Sequence, residues 1–454
     1  MKRLDVELSG RNVSVIGAAR SGVAVAHLLK QNGAHVFVSD AAPAEKILDS
    51  IAQLQAEGIQ FETGEHSERV YDCSLMVISP GVPSDAPVVR EAKQRGRHVV
   101  SELEVASWFC SAPIAAITGS NGKTTTATLT GRILADAKTK HVVAGNIGTA
   151  FSSVVLGLGA ADVAVLEVSS FQLDHCESFR PAIAAILNIT EDHMDRYEHS
   201  MERYAASKAR IFMNMRESDT MIYGADDPWT MNVVPRARCK TLGVSARQGL
   251  PEGAFVDRGT MVTVLGGVRT EIIPTRDIFI RGTHNLYNAM TAALVAQLLG
   301  VKPESIRGTL RTFEGVEHRL EFVRELNSVR YYNDSKATNV DSVWYALQSF
   351  TEPIILLLGG RDKGNDYARL VELVKQHVKA VVAIGESADK VEAAFKSATM
   401  VKRANSIEEA VATANAAAGR GDVVLLSPAC ASFDWFKNYE HRGKVFKELV
   451  NNLQ

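Results

Sequence analysis

The sequence predicts an α/β protein built from three successive sheets of mainly parallel strands. Short apolar strands alternate with amphipathic helices along most of the chain, and this alternation is typical of sheets covered by helices. Glycine-bearing turns follow several of these strands. The length of 454 residues also suggests three domains, at about 150 residues each. We therefore expect domains over residues 1–101, 102–315 and 316–454.

The first region is expected to form a Rossmann-like parallel sheet. Residues 12–40 read as a strand, a glycine turn, an amphipathic helix and a second strand closing on Asp40, and "SLMVISPG" and "GRHVVSE" are further strand candidates. The turn from Gly17 to Gly22 resembles a dinucleotide fingerprint, but Ala19 stands where the fingerprint has its second glycine. Asp40 follows at about the 20-residue distance of a ribose-binding carboxylate. NAD, another nucleotide and a turn without a ligand all remain open.

The second region is expected to form a P-loop ATPase-like sheet. The segments "APIAAITG", "ADVAVLEVSS" and "PAIAAILNIT" are apolar enough for strands buried on both faces of a parallel sheet. Residues 241–280 are rich in β-branched residues and glycine turns, which predicts a small antiparallel patch. The helix "NLYNAMTAALVAQLLG" follows, and Gly300 ends it.

The stretch "AITGSNGKTTT" has the composition of a phosphate-binding loop between a strand and a helix. A helix start gathers unpaired backbone N–H groups and favours anions. Gly119 and Gly122 let the backbone approach phosphate oxygens, Lys123 adds a positive charge, and the Thr124 hydroxyl can bind Mg²⁺. The spacing is GxxGKT instead of the Walker pattern GxxxxGKT. The sequence therefore predicts a triphosphate site at this turn.

Two residues after neighbouring strands are candidate ligands for the accompanying metal ion. Glu167 closes the strand in "AVLEVSS", and His193 follows the strand in "ILNITEDHMD". Both lie at the carboxyl ends of predicted parallel strands, the edge that also carries the phosphate loop. Asp192 and Asp195 flank His193 and are alternative ligands.

The third region is expected to form a second Rossmann-like parallel sheet, with strands in "PIILLLGG", "KAVVAIGE" and "DVVLLSPA". Three polar segments follow its strands. "YYNDSKATN" contains Asp334, Lys336 and Thr338, "LLLGGRDKGND" contains Lys363, and "LLSPACASF" contains Ser432. Because strand ends of a parallel sheet meet at one edge, these segments predict a binding site.

Composition excludes several other classes of protein. Lys and Arg total 50 against 52 acidic residues, so there is no overall positive charge for holding nucleic acid. The start "MKRLDVELSGRN" is charged where a signal peptide is apolar, and no apolar run reaches the roughly 18 residues that span a bilayer. We expect a cytoplasmic protein without a membrane partner. The five scattered cysteines are expected to be reduced core thiols.

Several motifs together resemble the Mur ligase family, in one order and over nearly the whole chain. The motifs are "TGSNGKTT", "EVSSFQL", "NITEDHMDRY", "THNLYNA", "EHRLE", "NDSKATN" and "LLSPACASFDWF". "NDSKATN" and "SPACASFDWF" are similar to the members that add D-glutamate to UDP-N-acetylmuramoyl-L-alanine. The resemblance implies that ATP phosphorylates the carboxylate of that substrate, and that the amine of D-glutamate attacks the acyl phosphate. It also implies a cytoplasmic enzyme of peptidoglycan precursor synthesis, which we expect to be a monomer.

The resemblance also implies roles for single residues. The residues implied to bind ATP are Gly119, Ser120, Asn121, Gly122, Lys123, Thr124, Thr125, Asn285, Arg319, Asp334 and Lys336. The implied ligands of Mg²⁺, at two sites, are Thr124, Glu167, His193 and Lys208, the last as a carbamate formed with CO₂. The implied catalytic residues are Lys123, His193, Lys208 and Lys336. Without the resemblance, Lys208 in "ERYAASKARIF" reads as a solvated lysine on an amphipathic helix.

The remaining implied residues bind the two other substrates. The uridine diphosphate side comprises Arg20, Ser21, Asp40, Ser79 and Asn146. The D-glutamate side comprises Thr338, Lys363, Ser432 and Tyr439. Two features depart from the family pattern: the first turn, "GAARSG", is less rich in glycine, and Tyr439 stands where phenylalanine is frequent.

Three other functions are compatible with parts of the sequence. The first βαβ unit suggests an oxidoreductase acting on a nucleotide sugar, although Ala19 and the phosphate loop oppose it. The phosphate loop alone suggests an ATPase that acts as a switch, which leaves the polar segments of the third region unexplained. A related ligase or polyglutamate-type ligase with a different acceptor amino acid is the third.

Overall fold

The computed structural model describes residues 7–146, 148–362 and 364–454, and it contains three sheets. The described residues form two compact units. The first unit comprises the chain up to Asp277 together with Tyr287–Arg311, and the second comprises Ile278–Leu286 with Thr312–Gln454. The first two sheets lie in the first unit and the third sheet in the second. The boundaries of the three predicted domains therefore stay a prediction.

The first sheet is fully parallel, with the order β3-β2-β1-β4-β5, as predicted for a Rossmann-like region. Its strands are β1 (Asn12–Ile16), β2 (His35–Asp40), β3 (Gln60–Thr63), β4 (Leu75–Ile78) and β5 (His98–Ser101). The associated helices are α1 (Arg20–Gln31), α2 (Leu48–Ala56), α3 (Pro87–Gln94) and α4 (Glu102–Phe109). The sequence did not predict β3, since this edge strand reads "QFET" and has no buried residue.

The central sheet has nine strands in the order β14-β13-β12-β11-β10-β9-β6-β8-β7. They are β6 (Ile114–Thr118), β7 (His141–Gly145), β8 (Val163–Glu167), β9 (Ile183–Ile186), β10 (Thr220–Gly224), β11 (Lys240–Ser245), β12 (Gly253–Asp257), β13 (Thr260–Leu265) and β14 (Val268–Pro274). The predicted antiparallel patch is confirmed, because β12, β13 and β14 pair antiparallel. This antiparallel patch joins the parallel part of the sheet where β12 pairs parallel with β11. The strand β6 lies between β8 and β9, and all five of its residues are buried.

Seven helices connect or cover these strands in the described chain. They are α5 (Lys123–Asp136), α6 (Phe151–Val154), α7 (Ser170–Leu173), α8 (Met201–Ala209), α9 (Pro228–Val233), α10 (Thr283–Leu298) and α11 (Pro303–Thr312). The helix predicted in "NLYNAMTAALVAQLLG" corresponds to α10, and Gly300 follows it with a positive φ of 85°, as expected for a residue that ends a helix.

The third sheet has the order β15-β16-β20-β17-β18-β19. Its strands are β15 (Glu321–Leu326), β16 (Val329–Asn333), β17 (Ile354–Gly359), β18 (Val378–Ile384), β19 (Met400–Arg403) and β20 (Val423–Leu426). Its helices are α12 (Val340–Leu347), α13 (Val371–His377), α14 (Ala388–Phe395), α15 (Ile407–Ala417) and α16 (Tyr439–Asn451). The sheet is parallel as predicted except at one edge, where β15 pairs antiparallel with β16.

The two faces of the third sheet carry separate apolar cores. Side chains of β17 alternate between them: Leu356 and Leu358 pack into one core, and Ile355 and Leu357 into the other. This sheet is therefore a layer between helices, with its strand-end loops free to form a site. All five cysteines are free, and four are buried, in agreement with the prediction of reduced core thiols. Among the described helices, none is long and apolar enough to cross a bilayer.

Candidate functional site

The predicted phosphate loop lies between β6 and α5, at the carboxyl edge of the central sheet. Gly122 directly precedes α5 with φ of 88°, a left-handed conformation that favours glycine. A Cβ atom at Gly122 would also lie 2.3 Å from Asn288 Oδ1. The glycine of the motif is thus required by both the backbone conformation and the close neighbour.

The segment after β9 holds this loop in place. Asn188 binds it at two points, because its carbonyl oxygen accepts from Ser120 N and its Oδ1 accepts from Asn121 N, both at 2.9 Å. The Ser120 hydroxyl donates to Thr190 O at 2.8 Å and accepts from Thr190 N at 2.9 Å. Ser120 and Asn121, predicted to bind ATP, therefore also brace the loop. Neither Asn188 nor Thr190 was predicted to contact the loop.

Two lysine side chains donate to one carbonyl oxygen of the loop. Lys123 Nζ donates to Gly119 O and Ser120 O, at 2.9 Å each. Lys208 Nζ, carried by α8, also donates to Gly119 O at 2.9 Å. The Lys123 ammonium beside a helix start creates a positive potential suited to phosphate groups, and Lys208 brings a second lysine side chain to the same oxygen. The structure thus brings together residues that are far apart in the sequence.

Lys208 is buried, with only 1% of its surface exposed, which corrects its reading as a solvated lysine. Its ammonium lies 4.4 Å from the centre of the Tyr204 ring. Burial, followed by the charge of Lys123, lowers the pKa of Lys208 well below its ordinary value. A neutral amine is the form that reacts with CO₂, so the environment of Lys208 suits the implied carbamate.

Glu167 lies at the end of β8 and is 3% exposed. Its Oε1 accepts a long hydrogen bond, 3.4 Å, from Asn146 Nδ2, and within the part of the chain that the structure describes it has no ion-pair partner. A buried carboxylate requires a compensating charge. Its position and chemistry therefore fit a divalent cation.

His193 follows β9 and adopts a left-handed conformation with φ of 53°. Its ring meets the edge of the Phe171 ring at 4.8 Å between centres, and its Nε2 lies 3.6 Å from Asp192 Oδ2. Partial burial and the charges of Lys123 and Lys208 lower the pKa of His193, against the opposing effect of Asp192. A neutral imidazole is the form that ligates metal ions. Asp195 is exposed in the next turn.

The turn after β1 shows why its glycines occur where they do. A Cβ atom at Gly22 would lie 1.8 Å from Gly17 O, so helix α1 can approach the strand only with glycine at this position. Asp40 accepts from Ala18 N at 2.6 Å and from Ala42 N at 2.7 Å, which joins the turns after β1 and β2. The Ser79 hydroxyl donates to Gly17 O at 3.0 Å.

The structure therefore brings the predicted uridine-side residues of the first sheet to one edge. Asp40 and Ser79 flank this turn, whereas Arg20 and Ser21 begin α1 directly above it. Arg20 is exposed, and Ser21 is half-buried.

Arg196 connects this edge of the first sheet to the His193 loop. Its guanidinium stacks on Phe171, with 4.1 Å to the ring centre, and donates to Pro80 O and Gly81 O at 3.5 and 3.3 Å. Since Phe171 also contacts His193, the loop after β4 and the candidate metal ligand are linked through one aromatic ring. Neither Arg196 nor Phe171 was predicted to belong to the site.

In the second unit, Asp334 lies at the end of β16 and is 1% exposed. It accepts hydrogen bonds from Leu320 N at 3.2 Å and from the Ser427 hydroxyl at 2.7 Å. Burial raises the pKa of Asp334 to about 6, and the positive charge of Arg319 opposes this shift. Asp334 and Arg319, predicted on the ATP side, are therefore close enough to interact.

The other predicted residues of the second unit lie in the loops at this sheet edge or on α10. Lys336 Nζ lies 5.8 Å from the centre of the Tyr439 ring, and Thr338 is half-buried in the same loop. Ser432 is 2% exposed in the loop after β20. Asn285, near the start of α10, is buried and donates to Arg281 O at 2.8 Å. Lys363 lies outside the described residues.

Arg442, on α16, was not predicted and joins two of these loops. It is 1% exposed, and its guanidinium donates to both the hydroxyl and the carbonyl oxygen of Ser335, at 3.0 and 2.8 Å, and to Cys430 O at 3.2 Å. Burial lowers the pKa of Arg442 to about 10, so the side chain remains charged at neutral pH. A buried cation therefore lies beneath the loops after β16 and β20.

These features define an α/β protein of the phosphate-loop class with a buried lysine beside the loop and polar strand ends on a further sheet. Three family models match the chain in order, and they are described as "Mur ligase MurD-like, N-terminal domain" over residues 11–101, "Mur ligase middle domain" over 117–296 and "Mur ligase, glutamate ligase domain" over 318–430. The chain belongs to the Mur ligase family.

Individual relatives agree with this assignment. The chain is 48% identical to "UDP-N-acetylmuramoylalanine--D-glutamate ligase" of Chloroherpeton thalassium, over 98% of this chain and 99% of the relative. It is 47% identical to the protein of the same name in Salinibacter ruber, with the same coverage. The solved structure of UDP-N-acetylmuramate-alanine ligase from Thermotoga maritima is 18% identical, covers 97% of this chain and 99% of its own, and has a TM-score of 0.61. The latter likeness supports the fold.

Proposed function

We propose that this chain is an ATP-dependent ligase that joins D-glutamate to UDP-N-acetylmuramoyl-L-alanine through an amide bond. The observation that carries the proposal is that Lys123 and the buried Lys208 both donate to Gly119 O, which places a cation and a candidate carbamate side by side at the phosphate loop. The choice of substrates rests on relatives of 47–48% identity that are named for this reaction. We further propose a cytoplasmic monomer with the three domains expected from the sequence.

In the proposed reaction, a carboxylate oxygen of the UDP-linked substrate attacks the γ-phosphorus of ATP, and ADP leaves. The amine of D-glutamate then attacks the acyl carbon, loses a proton and expels phosphate, so that the amide forms. The transferred group carries negative charge throughout, and stabilising that charge is the main task of the protein. Lys123 is placed to do so, because its ammonium already lies against the loop at 2.9 Å from two carbonyl oxygens.

The donor set around the loop fits magnesium. Thr124, Glu167, His193 and a carbamate on Lys208 would hold two ions, which when bound disperse charge on the phosphate and acyl groups. Glu167 supplies a buried carboxylate without an ion pair among the described residues, and His193 supplies an imidazole whose pKa is lowered. Burial lowers the pKa of Lys208, which favours the neutral amine, and reaction of that amine with CO₂ would supply an anionic ligand.

The remaining residues would orient the substrates. In the first unit, Arg20, Ser21, Asp40, Ser79 and Asn146 would bind the UDP-linked substrate. In the second unit, Asn285, Arg319, Asp334 and Lys336 would bind ATP, with Lys336 placing its ammonium near the reacting groups. Thr338, Lys363, Ser432 and Tyr439 would bind D-glutamate, a dicarboxylate that needs cations and hydrogen-bond donors.

The test is phosphate release by the purified protein with ATP, Mg²⁺ and UDP-N-acetylmuramoyl-L-alanine, across a panel of D- and L-amino acids. We expect release that depends on D-glutamate, together with a product heavier by one glutamyl residue in mass spectrometry. Release with a different amino acid would assign the chain to a related ligase, and ATP hydrolysis indifferent to every acceptor would favour a switch ATPase.

A further inference from the structure

The loop after β20, residues 427–432, is held by hydrogen bonds to its backbone carbonyl groups. Two of them accept from backbone amides at the end of β17 and in the loop after it, at 2.9 Å each: Gly359 N donates to Pro428 O, and Arg361 N donates to Ala431 O. The carbonyl of Cys430 accepts from the buried Arg442. The hydrogen bonds to its carbonyl groups thus fix the position of this loop.

The carboxamide of Asn365 makes the remaining connection between the two loops. Its Nδ2 donates to Ala429 O at 3.0 Å and to Cys430 Sγ at 3.2 Å. Ala429 is fully buried and has a positive φ of 59°, which is uncommon for a residue other than glycine. Contacts with the surroundings must hold such a residue in its conformation. Asn365 supplies one of these contacts, because its carboxamide donates to the buried carbonyl of Ala429.

The backbone of Asn365 is itself fixed. Its amide donates to Asp362 Oδ1 at 2.9 Å, and Asp362 pairs with Lys390 of α14 at 2.8 Å. The Cys430 thiol, at the other end of the contact, also lies 3.3 Å from Tyr367 Oη and 3.5 Å from Ser387 Oγ. Further hydrogen bonds therefore hold both partners of this contact, Asn365 and Cys430, in place.

We infer that Asn365 is a positioning residue for the acceptor amino acid: its carboxamide holds residues 429–430 so that Ser432 is presented to the acceptor. The inference rests on the proposed function, in which Ser432 binds D-glutamate. Loss of the carboxamide leaves Ala429 O without this donor and allows the strained residue to relax. The relaxation shifts Ser432, whereas the phosphate loop lies in the other unit and keeps its own contacts.

The experiment compares steady-state kinetics of the full-length wild type with those of Asn365→Ala and Asn365→Asp. Asp has nearly the same size but cannot donate to Ala429 O. We expect the KM for D-glutamate to rise about tenfold in both variants, the effect of one buried hydrogen bond, with kcat within about twofold. The KM values for ATP and for the UDP-linked substrate are expected to stay at the wild-type level.

Asn405→Ala is the matched control, because Asn405 belongs to the same unit and is bonded through its side chain to the exposed Glu409. It is expected to match the wild type in all three KM values. A readout independent of activity is the rate at which N-ethylmaleimide labels Cys430, measured by mass mapping against the buried Cys176 of the first unit. Labelling of Cys430 is expected to become several times faster in Asn365→Ala and Asn365→Asp only.

The outcomes separate this inference from the proposed function. If the wild type uses a different amino acid, the proposed function fails, and the ratio of variant to wild-type KM is measured for that acceptor. Wild-type KM values for the accepted amino acid in both Asn365 variants overturn the inference, with or without faster labelling. Equal increases in all three KM values also overturn it, because they indicate general destabilisation.

Discussion

The turns after β1 and β6 have the same architecture, with a buried parallel strand, a glycine-bearing turn and a helix. Their surroundings differ. The first turn is lined by the Asp40 carboxylate and the Ser79 hydroxyl, which bind its backbone, whereas the second turn is contacted by the amine nitrogens of Lys123 and Lys208. Glycines thus specify how closely the backbone packs, and the charges around the turn specify which ligand it receives.

Removing the cation of the second turn gives the largest expected effect. Lys123→Ala is expected to reduce phosphate release by at least about a thousandfold, because charge stabilisation is the main contribution to phosphoryl transfer. The measurement is single-turnover formation of ADP with all substrates present. Circular dichroism and the unfolding midpoint should match the wild type, since Lys123 is only partly buried. Turnover within tenfold of the wild type would contradict the assigned role.

The buried lysine of α8 that contacts the same turn ranks next. Lys208→Ala is expected to lower kcat by about a hundredfold, since it removes a group that the proposed metal site requires. Short carboxylic acids such as formate should restore part of the activity by supplying the missing carboxylate. Lys208→Met, which has similar length, is the control for packing. Full activity of Lys208→Ala would exclude the carbamate, and rescue of Lys123→Ala by formate would show that rescue is not specific.

The glycines of the two turns should respond differently to alanine. Gly22→Ala places its Cβ 1.8 Å from a backbone oxygen, so the strand and α1 must separate, at a cost of several kcal/mol, about 3 or more. Gly122→Ala meets the Asn288 side chain, which can move, and carries the strain of a left-handed residue, about 1 kcal/mol. Urea unfolding at neutral pH measures both changes.

Phosphate release by the folded protein should show the opposite order: Gly122→Ala is expected to lose more activity than Gly22→Ala. Gly122→Ala is expected to lose most of its phosphate release although its unfolding free energy falls only slightly. Adding Asn288→Ala should recover part of the lost unfolding free energy but should not restore phosphate release. A smaller stability loss in Gly22→Ala than in Gly122→Ala would refute the packing explanation of the first turn.

Two strand-end aspartates extend the comparison to the third sheet. Asp40 accepts from two backbone amides, whereas Asp334 is buried and its pKa is raised to about 6. A raised pKa means that the folded state binds the proton more tightly than the unfolded state, where the pKa is near 3.8. The corresponding stability is present below about pH 4 and is lost as the pH rises through 6.

Asp334→Asn removes this dependence, because the carboxamide does not titrate. The unfolding free energy of the wild type, relative to that of Asp334→Asn, is expected to fall by roughly 3 kcal/mol between pH 4 and pH 7, which corresponds to about two pKa units. Urea titrations at several pH values measure the difference. Parallel pH profiles for the two proteins would show that Asp334 does not titrate as described.

The strands with strong apolar patterns were predictable, and two edge strands without such a pattern were not. The strands β6, β8 and β9 are buried throughout and read as apolar runs. The edge strands β3 and β19 contain no buried residue, and their sequences "QFET" and "MVKR" are too polar to form an apolar run. Their strand conformation depends on a neighbouring strand far away in the sequence, which local propensity cannot show.

The burial of two basic residues, Lys208 and Arg442, was not predicted from the residues alone. Each nevertheless has a detectable signal in the sequence. Lys208 follows Tyr204 by four residues, and Arg442 precedes Phe446 by four, so both cations lie on the apolar face of their helices. A charged residue on the apolar face of an amphipathic helix predicts a buried cation with a specific partner. The partner itself, a loop carbonyl in both cases, depends on tertiary packing and could not be predicted.

The smallest expected effect concerns the first turn as a binding site. Arg20 begins α1 and is exposed, so its removal should leave stability within about 0.5 kcal/mol of the wild type. If the first turn binds the UDP-linked substrate, Arg20→Ala raises the KM for that substrate about tenfold by removing one charge-assisted hydrogen bond, with the KM for ATP unchanged. Arg11→Ala, which removes a cation at the opposite end of β1, is the control. If Arg20→Ala instead raised the KM for ATP more than the KM for the UDP-linked substrate, both turns would belong to one ATP site. The assignment of the first turn to the UDP-linked substrate and of the second turn to ATP would then be wrong.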